Sequence, residues 1–559
     1  MSGTIARPAS GGPPGESRSD AGTAQEGRRK GWLTPVSVAI GACTLLALAL
    51  RLFLLSRPGY LLGVTEYDDG PYFGSAVSLV HGFLPYRSFL LVQPPGITLL
   101  MVPSALLSKA TGTATAMATG RVLTILASSA GVLLVGLLLR HRGLLTVIVG
   151  CGIVAVYPDS VSTARTILVE PWLVLFCLLG ALALFDRDRL TTSGKRLFWG
   201  GAAFGFAGCV EVWAIFPVLV LVVMLLLRAP RIRRASVYVG GVAAGFLVPT
   251  LPFAALAPKR FYQSLYVAQV APRAGSARVP LPARLSDMLG LVGIPPSWLP
   301  AHPRMLILTV TVVLILVVAI MIVMAWMRLH QGPPPLEWFA LASTAVIVVM
   351  FTWPDQFHYH FAAFLAPFFA MCIALPLSRL LEALGQGQGQ GTSGLPATDG
   401  RQLWKPAAVV AGVAVVVLAM FQASDESHLQ LRLAPIAPAV EKIIPKGACV
   451  ATDQVSYLLM ANRFSPGQSN CPHMLDGLGS DLGFSNGLKP GTGAGNVPAV
   501  QALWWDEFTH SQFVWLSYNS YRRIAWDPKL RAYFKANFVQ VFKHEWHDTL
   551  YARKGAHTG

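Results

Sequence analysis

The chain has 559 residues, of which 53% are hydrophobic and 13% charged, which excludes a soluble enzyme built on one large core and describes an integral membrane protein. The net charge of +17 is not a nucleic-acid signature, because much of it falls in short loops between apolar runs, where it sets orientation.

Residues 1–33 are rich in Gly, Pro, Ser and Ala, carry Arg28-Arg29-Lys30, and read as a disordered cytosolic tail. The apolar run that follows is too long for a signal-peptide core and reads as an anchor. Spans are expected at 34–55, 118–139, 143–160, 170–185, 197–211, 213–228, 236–257, 304–327, 336–353, 358–378 and 405–422, judged against the ~20 residues a helix needs to cross hydrocarbon. With the N-terminus inside, the inner loops hold Arg140/Arg142, Arg187/Arg189/Lys195/Arg196, Arg228/Arg231/Arg233/Arg234, Arg328 and Arg379/Arg401/Lys405, as the positive-inside rule requires. The outer loop 258–303 is the exception, with Lys259, Arg260, Arg273, Arg278 and Arg284, and a loop of that length is less bound by the rule.

Counting 93–110 as a further span would invert every later loop, so it reads as a second surface helix. The first is expected over 71–81, with Asp69 as cap, Pro71 in the first turn, Tyr72, Phe73, Ala76, Val77 and Val80 on one lipid-facing side, and Gly82 at its end. The segment 384–394 reads as a flexible inner loop. From 423 the composition changes. Strands are expected at 448–453, 512–518 and as a pair within 536–553, and helices at 454–462 and 498–510. The expected architecture is an α-helical polytopic membrane domain over 34–422, with about eleven spans and interfacial helices in its first outer loop. A small α/β extracytoplasmic domain over 423–559 follows it.

The acid pair Asp68-Asp69, in the run Glu66-Tyr67-Asp68-Asp69-Gly70-Pro71-Tyr72, stands between the first span and the first surface helix. Two adjacent carboxylates can have one pKa raised by repulsion, giving a base, or can share a divalent cation. In the second outer loop, Arg165 and Glu170 flank the start of a span, where ionisable groups are costly unless they face a cavity. Glu170 reads either as an acid favoured by a helix N-terminus or as a partner of the acid pair. Glu211 lies in an apolar run near its outer end and reads as functional or paired. In 258–284, Arg273 and Arg278 could bind a phosphate through the guanidinium fork, headgroup contact being the alternative. Trp353-Pro354-Asp355-Gln356-Phe357-His358-Tyr359-His360 opens a span from outside. Its Asp355, His358 and Tyr359 are candidates to line the site, while His358 and His360, two apart, are a poor zinc pair on a helix.

Cys43, Cys151, Cys177, Cys209 and Cys372 read as small packing residues. Cys449 and Cys471, the cysteines of the outer domain, are expected to form a disulfide, with two buried thiols as the alternative. Trp504, Trp505, Trp515 and Trp526 could stack on sugars or fill the core.

The runs Asp68-Asp69-Gly70-Pro71-Tyr72, Gly82-Phe83-Leu84-Pro85-Tyr86-Arg87 and Gln93-Pro94-Pro95-Gly96, in that order, resemble the first outer loop of the GT-C superfamily of polytopic glycosyltransferases. Arg165 followed by Glu170-Pro171 resembles the second loop of its bacterial members. The resemblance covers about 34–378. It implies a polyprenyl-phosphate-linked sugar as donor and transfer on the outer face to a glycan, lipid or protein acceptor. It also implies a catalytic aspartate, here Asp68. From the residues themselves, Asp69 and Glu170 are expected beside it, Arg165, Arg273 and Arg278 near the donor phosphate, and Tyr72 and Gln93 among the cavity residues, Gln93 departing from relatives that carry an acidic or basic residue before the Pro-Pro. No cofactor is certain; a divalent cation on Asp68 and Asp69 is the one candidate. The expectation is a multi-pass plasma-membrane enzyme of an actinobacterial envelope. Acids gathered at the outer ends of the spans count against a transporter or flippase, which would place charges at midplane. A non-catalytic envelope scaffold is the other alternative.

Overall fold

The computed structural model describes residues 34–268, 279–291, 303–353, 357–386, 401–429, 437–466, 471–472, 474–477, 479, 497–543 and 548–556. Among them, seven helices are long and apolar enough to cross a membrane, or eight if the bent pair Leu144–Val156 and Pro158–Ala164 is one span, against the eleven expected. The other three expected spans exist as shorter helices, Glu170–Leu184, Gly194–Val210 and Val212–Leu226. A 15-residue helix such as Glu170–Leu184 rises only about 22 Å, short of a hydrocarbon layer of about 30 Å. Polar residues set these ends. Glu170 starts the first helix, and Glu211, extended at φ −152° and ψ 132°, separates the other two by accepting a hydrogen bond from the Val212 N–H at 3.0 Å.

The first span, Pro35–Leu55, begins where Thr34 accepts a hydrogen bond from the Ser37 N–H and Pro35 takes the first helical position. The bent pair turns by 52° at Tyr157, whose extended backbone precedes Pro158. A proline disfavours helical geometry in the residue before it, so the break is written in the sequence. Its effect is to swing Asp159 and Arg165 across the end of the bundle.

The surface helices form at Asp69–Val80 and Gly96–Thr111, but the first differs from expectation in two ways. Its cap position is Asp68, without a side-chain capping bond, and Asp69 is already inside the helix. It also shows no lipid face: Asp69 through Ser78 are all buried. Tyr72, Phe73, Ala76 and Val77 share one apolar cluster with Ile97 and Met101 of the second surface helix and with Val455, Leu458, Leu459 and Met460 of the outer domain. The outer domain covers the surface that lipid was expected to cover.

That domain holds a four-stranded sheet in the spatial order Val450–Thr452, Phe513–Leu516, Thr549–Arg553, Phe538–Lys543. The first two strands run parallel and the remaining pairings are antiparallel. Cys449 and Cys471 form a disulfide. Trp504 and Trp515 lie in the core, 1% and 0% exposed, which leaves them unavailable to sugars.

Candidate active site

The acid pair divides into two different groups. Asp69 is wholly buried, and its carboxylate takes four donors: Arg121 Nη2 at 2.8 Å, Thr166 Oγ1 at 2.6 Å and Thr65 Oγ1 at 3.0 Å on one oxygen, and Ser456 Oγ at 2.6 Å on the other. Arg121 also donates to the carbonyls of Tyr60, Leu61 and Gly63, pinning the chain that leaves the first span. Asp69 is therefore a clamp joining two loops, a span and the outer domain. Both its oxygens are engaged by these donors. Among the described residues no group of three or more His, Cys, Asp or Glu is arranged to hold a metal.

Asp68 points elsewhere. It is half-buried, and its carboxylate accepts no hydrogen bond among the described residues. Burial pushes its pKa up to about 7, helped by the negative charges of Asp476, Glu66 and Glu170 and opposed by His360. Tyr72, one turn along the same helix, is surrounded by Asp68, Glu170, Glu211 and Asp476; burial and then those acids hold its phenol well above the ordinary range.

Three chain segments supply the surroundings. Glu170, wholly buried at the start of its helix, lies with Oε1 2.5 Å from His360 Nδ1, while its Oε2 finds no donor among the described residues. Burial works against a charged His360, but Glu170, Asp68 and Glu66 outweigh it and raise the imidazole to about 9. Glu66 accepts from the Tyr359 hydroxyl at 2.5 Å and lies 3.7 Å from Arg165 Nη2. From the outer domain, Gln454 and Ser456 donate to the Glu66 carbonyl, and Asp476 accepts from the Tyr67 hydroxyl at 3.0 Å. The close approach depends on Gly70, where a Cβ would sit 2.6 Å from the Ser456 backbone nitrogen.

Beside this cluster lies a cavity of about 510 Å³. Leu54, Phe369, Leu418, Phe421 and Leu429 give it apolar walls, and Asp159, Arg165, Tyr359, Gln422 and Glu426 give it a polar end. Arg165 and Tyr359 thus face the cavity and hold Glu66 at once, which ties the cavity to the loop of Asp68.

Of the residues singled out from sequence, Asp68, Asp69, Glu170, Arg165, Tyr72 and Tyr359 come together. Glu211 is buried near Tyr72. His358 is exposed and stacks on His360 at 5.4 Å between ring centroids. Gln93 is half-buried, and its carbonyl accepts from the Tyr86 hydroxyl at 2.5 Å. Arg284, one of the outer-loop charges, donates to the carbonyls of Val279 and Phe351. Arg273, Arg278 and Asp355 lie outside the described residues. Sequence reasoning missed Arg121, Glu66, His360, Ser456 and Asp476. Arg121 had a signal, a lone arginine in an apolar run, which is the same reasoning that marked Glu211.

Residues 92–354 match the model of glycosyltransferase family 87. No curated protein matches the sequence. Among solved structures, apo ArnT from Cupriavidus metallidurans superposes with a TM-score of 0.57 at 14% identity, over 92% of this chain and 97% of that one. ArnT from the same organism bound to undecaprenyl phosphate gives 0.54 at 15% identity over the same shares. The apo oligosaccharyltransferase of Archaeoglobus fulgidus gives 0.47 at 13% identity, covering 94% of this chain and 75% of that one. At these identities the ArnT superpositions show a shared fold.

Proposed function

We propose that the chain is a membrane glycosyltransferase of the GT-C superfamily, in which Asp68 takes the acceptor's proton and Arg165 meets the leaving group. The donor is a sugar linked to a polyprenyl phosphate. The apolar walls of the cavity take the first isoprenoid units, and Arg165 at its polar end meets the phosphate. ArnT, which shares the fold, has been solved with undecaprenyl phosphate bound.

The acceptor hydroxyl enters on the side of Asp68. Its oxygen forms the new bond to the anomeric carbon while the bond from that carbon to the phosphate oxygen breaks. The hydroxyl proton passes to the Asp68 carboxylate, and the electron pair leaves with the lipid phosphate, where Arg165 offsets the charge. Attack opposite the departing phosphate inverts the anomeric centre. The ion pair of Glu170 with His360 fixes a positive charge beside Asp68 and favours its ionised form. The charge of the basic loops supports an N-terminus in the cytosol, with the loop of Asp68 and the outer domain on the opposite face of the plasma membrane.

The observation that carries this reading is that Asp68, in a cluster of acids, accepts no hydrogen bond among the described residues and is held near neutrality. The test is incubation of purified protein with a labelled polyprenyl-phosphate sugar and candidate acceptors. Transfer by the wild type and none by Asp68→Asn is expected; near-normal transfer by Asp68→Asn removes it from the role.

A further inference from the structure

Two buried acids with unanswered carboxyl oxygens line the cavity of about 510 Å³. Asp159 stands in the segment that the break at Tyr157 swings across the bundle, and Glu426 near the C-terminal end of the helix Arg401–Ser427. They are 1% and 3% exposed. Asp159 Oδ2 and both Glu426 carboxyl oxygens find no hydrogen-bond donor among the described residues. Gln422, one turn before Glu426, borders the same cavity. Asp425 borders it too but is exposed, so water can serve it.

A carboxylate only accepts hydrogen bonds, and a buried one without a donor bears the full cost of leaving water. Two such groups on one cavity point to an occupant that brings the donors. Charge is already answered. His360 attracts Asp159 against the repulsion of Asp287, and Arg51 and Arg165 attract Glu426. The acids lack a donor at contact, and a cationic occupant would be repelled by the same His360, Arg51 and Arg165. Of the parts of a glycosyl phosphate lipid, the isoprenoid chain and the phosphate diester carry no donor, whereas each sugar hydroxyl carries one. The cavity also adjoins the reacting loop: Arg165 and Tyr359 line it and hold Glu66, two residues before Asp68, at 3.7 and 2.5 Å.

We propose that Asp159 and Glu426 read the hydroxyl groups of the donor's sugar ring. The proposal rests on the reading of Arg165 as the contact of the donor phosphate, and it narrows the donor to an uncharged, polyhydroxylated sugar. Both residues bind and select; neither touches a reacting atom.

The probes are synthetic polyprenyl-phosphate hexoses and pentoses, the same lipids lacking one ring hydroxyl each, an amino-sugar counterpart, and bare polyprenyl phosphate. Binding is measured on full-length, detergent-solubilised Asp68→Asn protein, so that no turnover intervenes. One sugar-bearing lipid is expected to bind at least tenfold tighter than the bare lipid. Loss of one of its hydroxyls should cost about tenfold or more, the size of one hydrogen bond to a charged group. Asp159→Leu and Glu426→Met remove the acceptors at similar volume, and each should shrink that discrimination. Each also removes a buried polar group that has no donor, so thermal unfolding should come no earlier than in the parent protein. Deoxy lipids bound as tightly as their parents, a preference for the amino sugar, or discrimination that survives both substitutions overturns the proposal. The first two results need no change at Asp159 or Glu426, so a variant that fails to fold does not shield it. Arg165→Ala should weaken the bare lipid as well. Unchanged binding there sinks the phosphate reading, while the hydroxyl discrimination is read separately.

Discussion

Asp69 and Arg121, 52 residues apart in sequence, meet at 2.8 Å with both side chains wholly buried. Removing one partner of such a pair strands a charge in a dry site, at roughly 3–5 kcal/mol. Arg121→Met is therefore expected to lower the unfolding midpoint of the purified protein sharply. Asp69→Asn combined with Arg121→Met, which strands no charge, should recover much of that loss. A single variant as stable as wild type would show that the clamp does not hold the loop.

Asp68→Asn should behave in the opposite way. The carboxyl is held up to about 7, so the folded state binds its proton more tightly than the unfolded chain does. Whatever stability that proton contributes is lost as pH rises through about 7. Asparagine mimics the protonated form. At pH 8 the variant should unfold no earlier than wild type while transferring no sugar, as measured by thermal unfolding and turnover on one preparation.

The pH profile of turnover should be a bell. Asp68 works only when ionised, so the acid limb falls near pH 7. His360, held up to about 9, loses its charge above that and with it the attraction for Glu170 and Asp68. Glu170→Gln removes the main support for that charge and should move the alkaline limb towards neutral pH. An alkaline limb that stays put in Glu170→Gln would dissociate His360 from it.

Arg165→Ala should raise the KM for the lipid donor and lower kcat, because in the proposed mechanism the guanidinium meets the phosphate both bound and leaving. Arg165→Lys keeps charge without the fork and should fall between the two. An unchanged donor KM in Arg165→Ala would move the phosphate elsewhere in the cavity.

Gly70→Ala tests the seam between the outer domain and the first loop. The added methyl meets Ser456 backbone at 2.6 Å, so the helix Val455–Met460 must shift away. Turnover should drop, and proteolysis of the outer domain should quicken. Retention of full activity would mean that the seam is not needed.

The GT-C architecture was legible because its signals are local: long apolar runs, basic loops and the order of three short motifs. The acid pair was legible too, but its division of labour was not. Asp68 and Asp69 are neighbours of one type, and what separates them is that Asp69 meets Arg121, Thr166 and Ser456, each far along the chain. Periodicity placed a helix at 71–81, within two residues of Asp69–Val80, and mistook what covers it, since an apolar side packs on protein or lipid with the same pattern. His360 was judged only as a metal ligand beside His358, and its partner Glu170, 190 residues earlier, is invisible to any spacing rule.

The Ser456 hydroxyl reaches Asp69 across a separation of 387 residues. A ribosome releases the first loop into the bilayer's edge long before it makes the residue that completes that loop. Asp69 therefore gains its last donor only after every membrane helix has been made, and the clamp closes late, when the C-terminal domain meets the first loop.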